Sequence, residues 1–466
     1  MAGSTRSLKV AIFHFGFFYS GGGEKLVLEE MRGLRLLGHD VTCFSPYVDR
    51  EVCFPGISEM REIRTLLPPP PRWLPFRHAL WVILCCLAIP LMAGRFRSFD
   101  VFFAANQPAP WFAFVLGKLL GKPYVIYLAQ PLRLLHPRRI DVEEGLRITD
   151  GDQRFVQFLT RIAGWLIDRA DKISVRNAAI VLTNGEHVSR WIREVYGIQD
   201  EVCPAGCHPI DRAGLSLAGR WCGTVQVNGF RIPKPYVLLT NRHAPQKRFE
   251  YALWALKTIQ GQAPDLSMVI TGQETGYTKE LRYLVDGLRL GDKVRFVGLV
   301  SEEALASLYK EAALYVYPAP EEDFGMGIVE AMAAGTPVVA WNNGGPKQTV
   351  LDGETGFLVA PNDVNRFAER MLALGTDRGL GERMGIAAHR RAVDLFGYAA
   401  HNAHLESTLV RAVAANEGRR DLRQYGTHQA RTRAVDGPRA AGDGSLAPTE
   451  TACLPQAGAP TEASPG

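Results

Sequence analysis

Two glutamates eight residues apart, Glu322 and Glu330, enclose Phe324-Gly325-Met326-Gly327 and are followed by Ala331-Met-Ala-Ala-Gly335. A carboxylate offers about four acceptor sites and no donor, so such a pair suits hydroxyl-rich ligands, one acid taking a sugar and the other a ribose. Upstream, Arg242 and Lys247 supply a rigid donor fork and a mobile point charge. Converging on a diphosphate, each charge-assisted bond from them contributes roughly 1.5–3 kcal/mol. Taken singly, two acids before a helix or two bases in a loop describe a solvated surface. Together the four describe a site for a nucleotide sugar.

The flanking sequence says what must hold these groups. The apolar run 314–317 reads as a buried strand, 325–334 as a helix stopped by Gly335, and 336–341 as the next strand. Glu322 then lies on a strand-to-helix loop, where open α/β sheets bind ligands and helix N-terminal amides favour phosphate; Glu330 lies about two turns into the helix. Residues 236–240 read as another strand, with Arg242 and Lys247 in the loop after it. Between these sites, 292–301 reads as a short strand and turn, followed by a helix from Glu302 to about Ala312. At the N-terminus a strand at 9–13, a loop through Gly16 to Gly21-Gly22-Gly23, a helix from Glu24 to Leu37 and a strand at 40–44 make a βα unit. The glycines let backbone approach a bound anion, although a flexible turn explains three glycines equally well. They do not form the G-x-G-x-x-G dinucleotide fingerprint.

The block Glu322-Asp-Phe-Gly-Met-Gly-Ile-Val-Glu330, with Gly335-Thr-Pro-Val-Val-Ala, Gly344-Gly345-Pro346 and Asp352-Gly-Glu-Thr-Gly356-Phe-Leu-Val following in order, resembles the signature of retaining, nucleotide-sugar-dependent glycosyltransferases of family 4. That resemblance implies the GT-B fold, two Rossmann-like α/β domains facing a central cleft. It implies Glu322, Arg242 and Lys247 as catalytic residues. It implies donor contacts from Gly22 and Gly23, from backbone groups at Phe296 to Val300 beside the base, and from Phe324, Gly325, Met326, Gly327 and Glu330. The implied activity is hexosyl transfer with retention from a GDP- or UDP-linked sugar, with no metal and no separate cofactor. In that chemistry the leaving phosphate takes the acceptor proton, so no protein nucleophile is obligatory.

Two positions depart from the family. Ala129, after the strand 123–128, stands where many relatives carry a histidine, with Gln130 the nearest polar group; Gln348 stands where relatives usually have glutamate. These departures keep open a catalytically inactive nucleotide-sugar-binding homologue, beside a sugar-nucleotide epimerase or phosphorylase of the same fold. Gly21-Gly-Gly-Glu-Lys-Leu-Val and Asp49-Arg-Glu-Val-Cys53-Phe54 resemble the dolichol-linked mannosyltransferases of N-glycan assembly. This implies mannose as the sugar and a lipid-linked or glycan acceptor.

At 466 residues, 47% hydrophobic and 22% charged, the chain can bury two cores. The expected division is an acceptor-side domain over 1–208 carrying an apolar helix at 73–94, a linker over 209–232 and a nucleotide-sugar-binding domain over 233–395. Helices over 396–417 are expected to return to the first domain, and 418–466 reads as a disordered tail. Eight cysteines form no C-x-x-C pair and read as reduced structural thiols. Asp150-Gly151-Asp152 formally matches a metal-binding Asp-x-Asp but reads as a solvated turn between polar, helix-like stretches. No nucleic-acid partner is expected. The polar start, Met1 to Ser7, is too short for a signal peptide, which points to the cytoplasm.

Positions 1–200 hold 25 Lys and Arg against 19 Asp and Glu, while the whole chain carries a net charge of +5. This basic excess coincides with the apolar segment 73–94, flanked by Arg72, Arg95 and Arg97. Its uncharged part, 79–94, is shorter than the roughly 20 residues that span a bilayer. Pro90 should also interrupt the helix. The segment either packs inside the first domain or lies in a membrane surface with its basic flanks toward anionic lipid. The apolar stretch 111–119 belongs to the same surface or to the core.

Overall fold

The structure, a computed structural model, describes residues 6–18, 21–50, 53, 57, 59–71, 73–145, 153–208 and 217–435. The Asp150-Gly151-Asp152 turn, Arg72 and Phe54 lie outside them. Both sheets fall in one compact unit that ends at Asn416.

The first domain runs β1 (Lys9–His14), α1 (Gly22–Leu36), β2 (Asp40–Ser45), β3 (Ile63–Thr65), α2 (Arg77–Ala88), β4 (Val101–Ala105), α3 (Ala109–Leu120), β5 (Tyr124–Leu128), α4 (Arg139–Glu144), α5 (Gln153–Arg176), β6 (Ile180–Thr183), α6 (Glu186–Tyr196) and β7 (Glu201–Val202). Its seven strands are parallel in the order β3-β2-β1-β4-β5-β6-β7. Strands such as β4 and β5 are buried along their whole length because helices cover both faces of the sheet, which is why they read as unbroken apolar runs.

An antiparallel hairpin follows, β8 (Thr224–Val227) and β9 (Phe230–Pro233), where a plain linker was expected. Its turn is Asn228-Gly229, both at positive φ, the pairing that matches the twist of a tight hairpin.

The second domain holds β10 (Tyr236–Thr240), α7 (Phe249–Ile259), β11 (Ser267–Thr271), α8 (Tyr277–Gly287), β12 (Val294–Gly298), α9 (Glu302–Glu311), β13 (Leu314–Tyr317), α10 (Met326–Ala333), β14 (Val338–Trp341), α11 (Pro346–Thr349), β15 (Gly356–Val359), α12 (Val364–Thr376) and α13 (Arg378–Phe396). Its strand order is β12-β11-β10-β13-β14-β15, again all parallel. Each sheet thus reverses its winding once, between β1 and β4 in the first and between β10 and β13 in the second. In doubly wound sheets the crevice outside the carboxyl ends of those strands is where ligands bind.

Helix α14 (Tyr398–Val435) starts against the first domain. The Cys207 amide donates to the Phe396 carbonyl at 2.6 Å, the Tyr398 amide to Cys207, and His401 meets Glu30 at 3.2 Å. One apolar cluster joins Val10 and Phe103 of the first sheet, Leu238 and Tyr315 of the second, and Leu405 and Leu409 of α14. The helix continues past Glu417, where the sequence pattern suggested that order stops. Alanine, glutamate, arginine and leucine favour helix strongly, and no proline interrupts them before Pro438.

The apolar segment 73–94 becomes α2 followed by a 3-10 turn over Ile89–Phe96. The α-helix stops at Ala88 because Pro90 has no amide hydrogen to continue the ladder. One side packs on the sheet through Cys85, Ile89 and Phe96, while Leu84, Leu87 and Leu91 face outward. Neither of the two expectations describes it alone.

Candidate active site

Glu322 stands on the loop between β13 and α10, at the switch point of the second sheet. Glycines fix that loop. Gly325 opens α10 at φ +88, and Gly344, at φ +63, packs so closely that a Cβ there would lie 2.4 Å from the Glu322 carbonyl oxygen. A Cβ on Gly345 would strike Phe324, and the Gly345 amide donates to the Glu322 carbonyl at 2.6 Å. The neighbouring Glu321 is held in the left-handed region, φ +48, a conformation non-glycine residues adopt at a cost.

Lys247 lies on a 3-10 turn after β10, the other strand of the same switch point. Its ammonium donates to Glu322 Oε2 at 2.6 Å and to the Tyr317 hydroxyl at 3.3 Å. Burial alone would favour a neutral Glu322, but Lys247, Arg138 and Arg133 outweigh it and hold the carboxyl down at about 2. Arg242 is on the same loop and exposed. Its charge acts on Glu24 in the first turn of α1, in the opposite domain.

Glu330 projects from α10. Its Oε1 accepts from Lys25 of α1 at 2.9 Å and its Oε2 from the Tyr309 hydroxyl at 3.1 Å. Lys25 also donates to Glu302 at 2.9 Å, so one ammonium ties the first helix of the chain to α9 and α10. Gly327 is required here by space: a Cβ would lie 2.5 Å from the Tyr315 hydroxyl and 3.2 Å from Thr240 and Tyr309.

From the first domain, Gly22 begins α1, and a Cβ on it would stand 3.0 Å from Met326 Sδ. Gly23 faces the Asn106 amide at the end of β4. Asn106 accepts the Ala129 amide at 3.0 Å, so the position where relatives carry histidine lies at the same carboxyl edge. The glycine-led start of α1 therefore points toward the loop that carries Glu322, and the helix dipole favours an anion there. Glu24 in that first turn is pushed up to about 8 by burial, and a neutral carboxyl there does not repel an anion.

Gln348 sits where α11 meets the loop before α6: a Cβ on Gly185 would lie 2.5 Å from its Oε1. Phe324 is buried, edge-on to Phe396. Phe296 is a core side chain between His243 and Arg282 rather than a lining group. Beside it, Asn228 of the hairpin donates to the carbonyls of Val297 and Leu299 at 2.9 and 2.8 Å, which shapes the strand end leading to Val300.

Several participants were not singled out in the sequence. Arg133 pairs with Asp323, and Arg138 donates to the Glu321 carbonyl at 2.9 Å. Both come from the segment after β5, nearly two hundred positions from their partners, and no local pattern marks them. Further along that segment Arg248 reaches Glu144 at 2.6 Å and Gln246 the Gly145 carbonyl at 2.8 Å. Lys25 stood within a quoted motif, yet nothing local pairs it with Glu330.

The geometry is that of two carboxylates, each already facing a lysine, at the junction of two switch points. Among the described residues, no group of three or more His, Cys, Asp or Glu side chains is placed to hold a metal ion.

Comparison with known proteins gives the same division. The family model described as glycosyl transferases group 1 matches residues 225–391, and that described as glycosyltransferase family 4 matches 20–209. The D-inositol 3-phosphate glycosyltransferase of Streptomyces avermitilis is 35% identical over 169 residues, 34% of this chain and 36% of that protein, so the match spans little more than a third of the relative. The alpha-1,3/1,6-mannosyltransferase ALG2 of Homo sapiens is 24% identical over 401 residues, covering 81% of this chain and 89% of its own length. Among solved structures, Anabaena HepE in complex with UDP and glucose superposes with a TM-score of 0.63 at 19% identity, covering 86% of this chain and 99% of that one. The last likeness is one of fold. With one family model on each domain and both parallel sheets in place, the chain belongs to the group 1, family 4 glycosyltransferases of the GT-B fold.

Proposed function

We propose that this glycosyltransferase moves a hexosyl group, with mannose favoured, from a GDP- or UDP-linked sugar to a lipid-linked or glycan acceptor, with retention and without a metal ion. One observation carries the reading: Glu322 and Lys247 meet at one switch point while the glycine-led start of α1 faces them from the other. In this scheme Arg242, Lys247 and the α1 amides take the diphosphate, Glu322 the hexose hydroxyls and Glu330 the ribose. Val300 and the backbone beside Phe296 line the base. Gly22, Gly23, Phe324, Gly325, Met326 and Gly327 bring backbone close to the donor.

The acceptor hydroxyl attacks the anomeric carbon from the face the diphosphate is leaving. The carbon–oxygen bond to phosphate breaks, the new glycosidic bond forms, and the acceptor proton passes to a phosphate oxygen. The cations stabilise the charge that develops there, which is the role a metal plays elsewhere. Likeness to ALG2 over most of its length favours mannose. The half-exposed segment 73–94 favours a peripheral contact with a membrane at which a lipid-linked acceptor is met, on the cytoplasmic side.

The test is calorimetric titration with GDP-mannose and UDP-hexoses, followed by nucleotide release with and without membrane lipid extract. Acceptor-dependent release establishes the transferase and names its donor. Binding without release supports the inactive reading that Ala129 and Gln348 keep open. Product without acceptor supports an epimerase or phosphorylase. Absence of binding to every nucleotide sugar overturns the proposal.

A further inference from the structure

Helix α5 is built inside out for a helix facing water. Its outward stripe carries Phe158, Ile162, Trp165, Leu166 and Ile173, which fall on one face at the helical period, with Trp165 68% exposed. Arg161 and Arg169 interrupt the same stripe and are exposed. Its two acids are engaged within the protein: Asp171 is buried and accepts the Tyr196 hydroxyl at 2.6 Å, while the partly exposed Asp168, at the edge of the stripe, pairs with Lys172 and meets His136. The outward face is therefore apolar with exposed arginines, and the carboxylate at its edge is already paired with Lys172.

Helix α2 and the turn after it present a matching face. Leu87 is 72% and Leu91 90% exposed, and the basic residues Arg95 and Arg97 lie at its end. The two faces join. Phe76, just before α2, stacks on Phe155 of α5 at 4.9 Å and 10°, and α3 packs between α5 and the 89–96 turn, all on one side of the first sheet.

We propose that α5 and the α2 segment together form one docking surface for an anionic lipid bilayer, with α5 as the second anchor. This deepens the reading of 73–94 as a membrane contact and rests on it. A helix lying in the plane of a bilayer interface buries an apolar stripe and sets arginines against anionic head groups, with tryptophan at the boundary. Trp73 and Trp165, 80% and 68% exposed, stand at the two helices. An apolar stripe whose exposed charges are arginines suits anionic head groups. Seating on the sheet through Cys85, Ile89 and Phe96 keeps the segment in the interface rather than across it.

The full chain is sedimented with vesicles of phosphatidylcholine alone and of phosphatidylcholine with phosphatidylserine, at low and high salt. The wild type should bind the anionic vesicles and release from them as salt rises. Phe158→Ser with Trp165→Ser, and separately Leu87→Ser with Leu91→Ser, should each weaken partitioning on the order of a hundredfold. Nucleoside diphosphate binding in solution, unchanged in both, shows that the variants fold. The proposal fails if the α5 variant partitions like wild type or if the wild type ignores anionic vesicles. It fails too if light scattering shows a dimer that the α5 substitutions split, since a second copy then covers the face. Loss of sugar transfer with vesicle binding intact would instead sink the hexosyl reading and leave this surface standing.

Discussion

Replacing Glu322 by glutamine preserves shape and removes charge, so it separates the two roles the site combines. The carboxyl is held at about 2 against an ordinary 4.5, a gap of about 2.5 units or roughly 3 kcal/mol in favour of the ionised form. Burial opposes ionisation, and the three cations more than offset it. Because the folded value is depressed, this stabilisation is full above pH 4.5 and is lost as pH falls toward 2. Glu322→Gln should therefore be less stable by about 2–3 kcal/mol at pH 7, with the difference shrinking across that acid window.

The ligand arms are more telling. If Glu322 holds the sugar, the variant trades a charge-assisted bond for a neutral one, and nucleotide-sugar affinity falls about 10- to 30-fold. Affinity for the bare nucleoside diphosphate should hold or improve, because Lys247 is released from its 2.6 Å pair and is free for phosphate. Turnover should fall by about a hundredfold or more, as an interaction tightened in the transition state is lost. Paired titrations with a nucleotide sugar and its nucleoside diphosphate, beside nucleotide-release kinetics, read all three. Equal loss for both ligands, or unchanged turnover, refutes the assignment.

Lys247→Met should show the opposite signature, weakening the bare nucleoside diphosphate by about 10- to 100-fold, which the same calorimetry reads. Gly327→Ala forces a Cβ within 2.5 Å of the Tyr315 hydroxyl and disturbs the tyrosine cluster that holds Glu330. Overpacking of that kind costs about 1–3 kcal/mol and should appear as a lowered melting temperature with weakened donor binding. Activity should survive exhaustive chelation; strict dependence on added divalent metal would show that the basic residues do not suffice.

Much of the fold was legible because its signals are local. The strand 236–240 is bounded by Pro235 and Asn241, and the helix read over 325–334 stops before Gly335 in the left-handed region, so reading and structure coincide to within a residue. The place of Glu322 on the strand-to-helix loop was legible too, since an apolar strand followed by a glycine-led helix marks such a loop. What escaped was non-local. Arg133, Arg138 and the second role of Lys25 depend on pairings that only the closed chain creates. The hairpin at 228–229 carries an Asn-Gly turn signal, but its four-residue strands are too short for the alternation to stand out in sequence. In α5 the periodicity was present, but spacing alone does not say which stripe faces out.

The segment between β5 and α5 gives the molecule a property that neither of its ends has alone. At one end Arg133 and Arg138 grip Asp323 and the Glu321 carbonyl beside the donor loop. At the other, His136 meets Asp168 at 3.2 Å and Leu135 lies under Gly164, both on α5. If the proposed lipid surface on α5 and the donor loop are coupled through this stretch, the coupling is reciprocal, because the free energy linking two binding events is shared equally between them. Whatever lipid does to the grip on donor, donor must do to the grip on lipid. Vesicle binding measured with and without nucleotide sugar reads the size and the sign of that linkage.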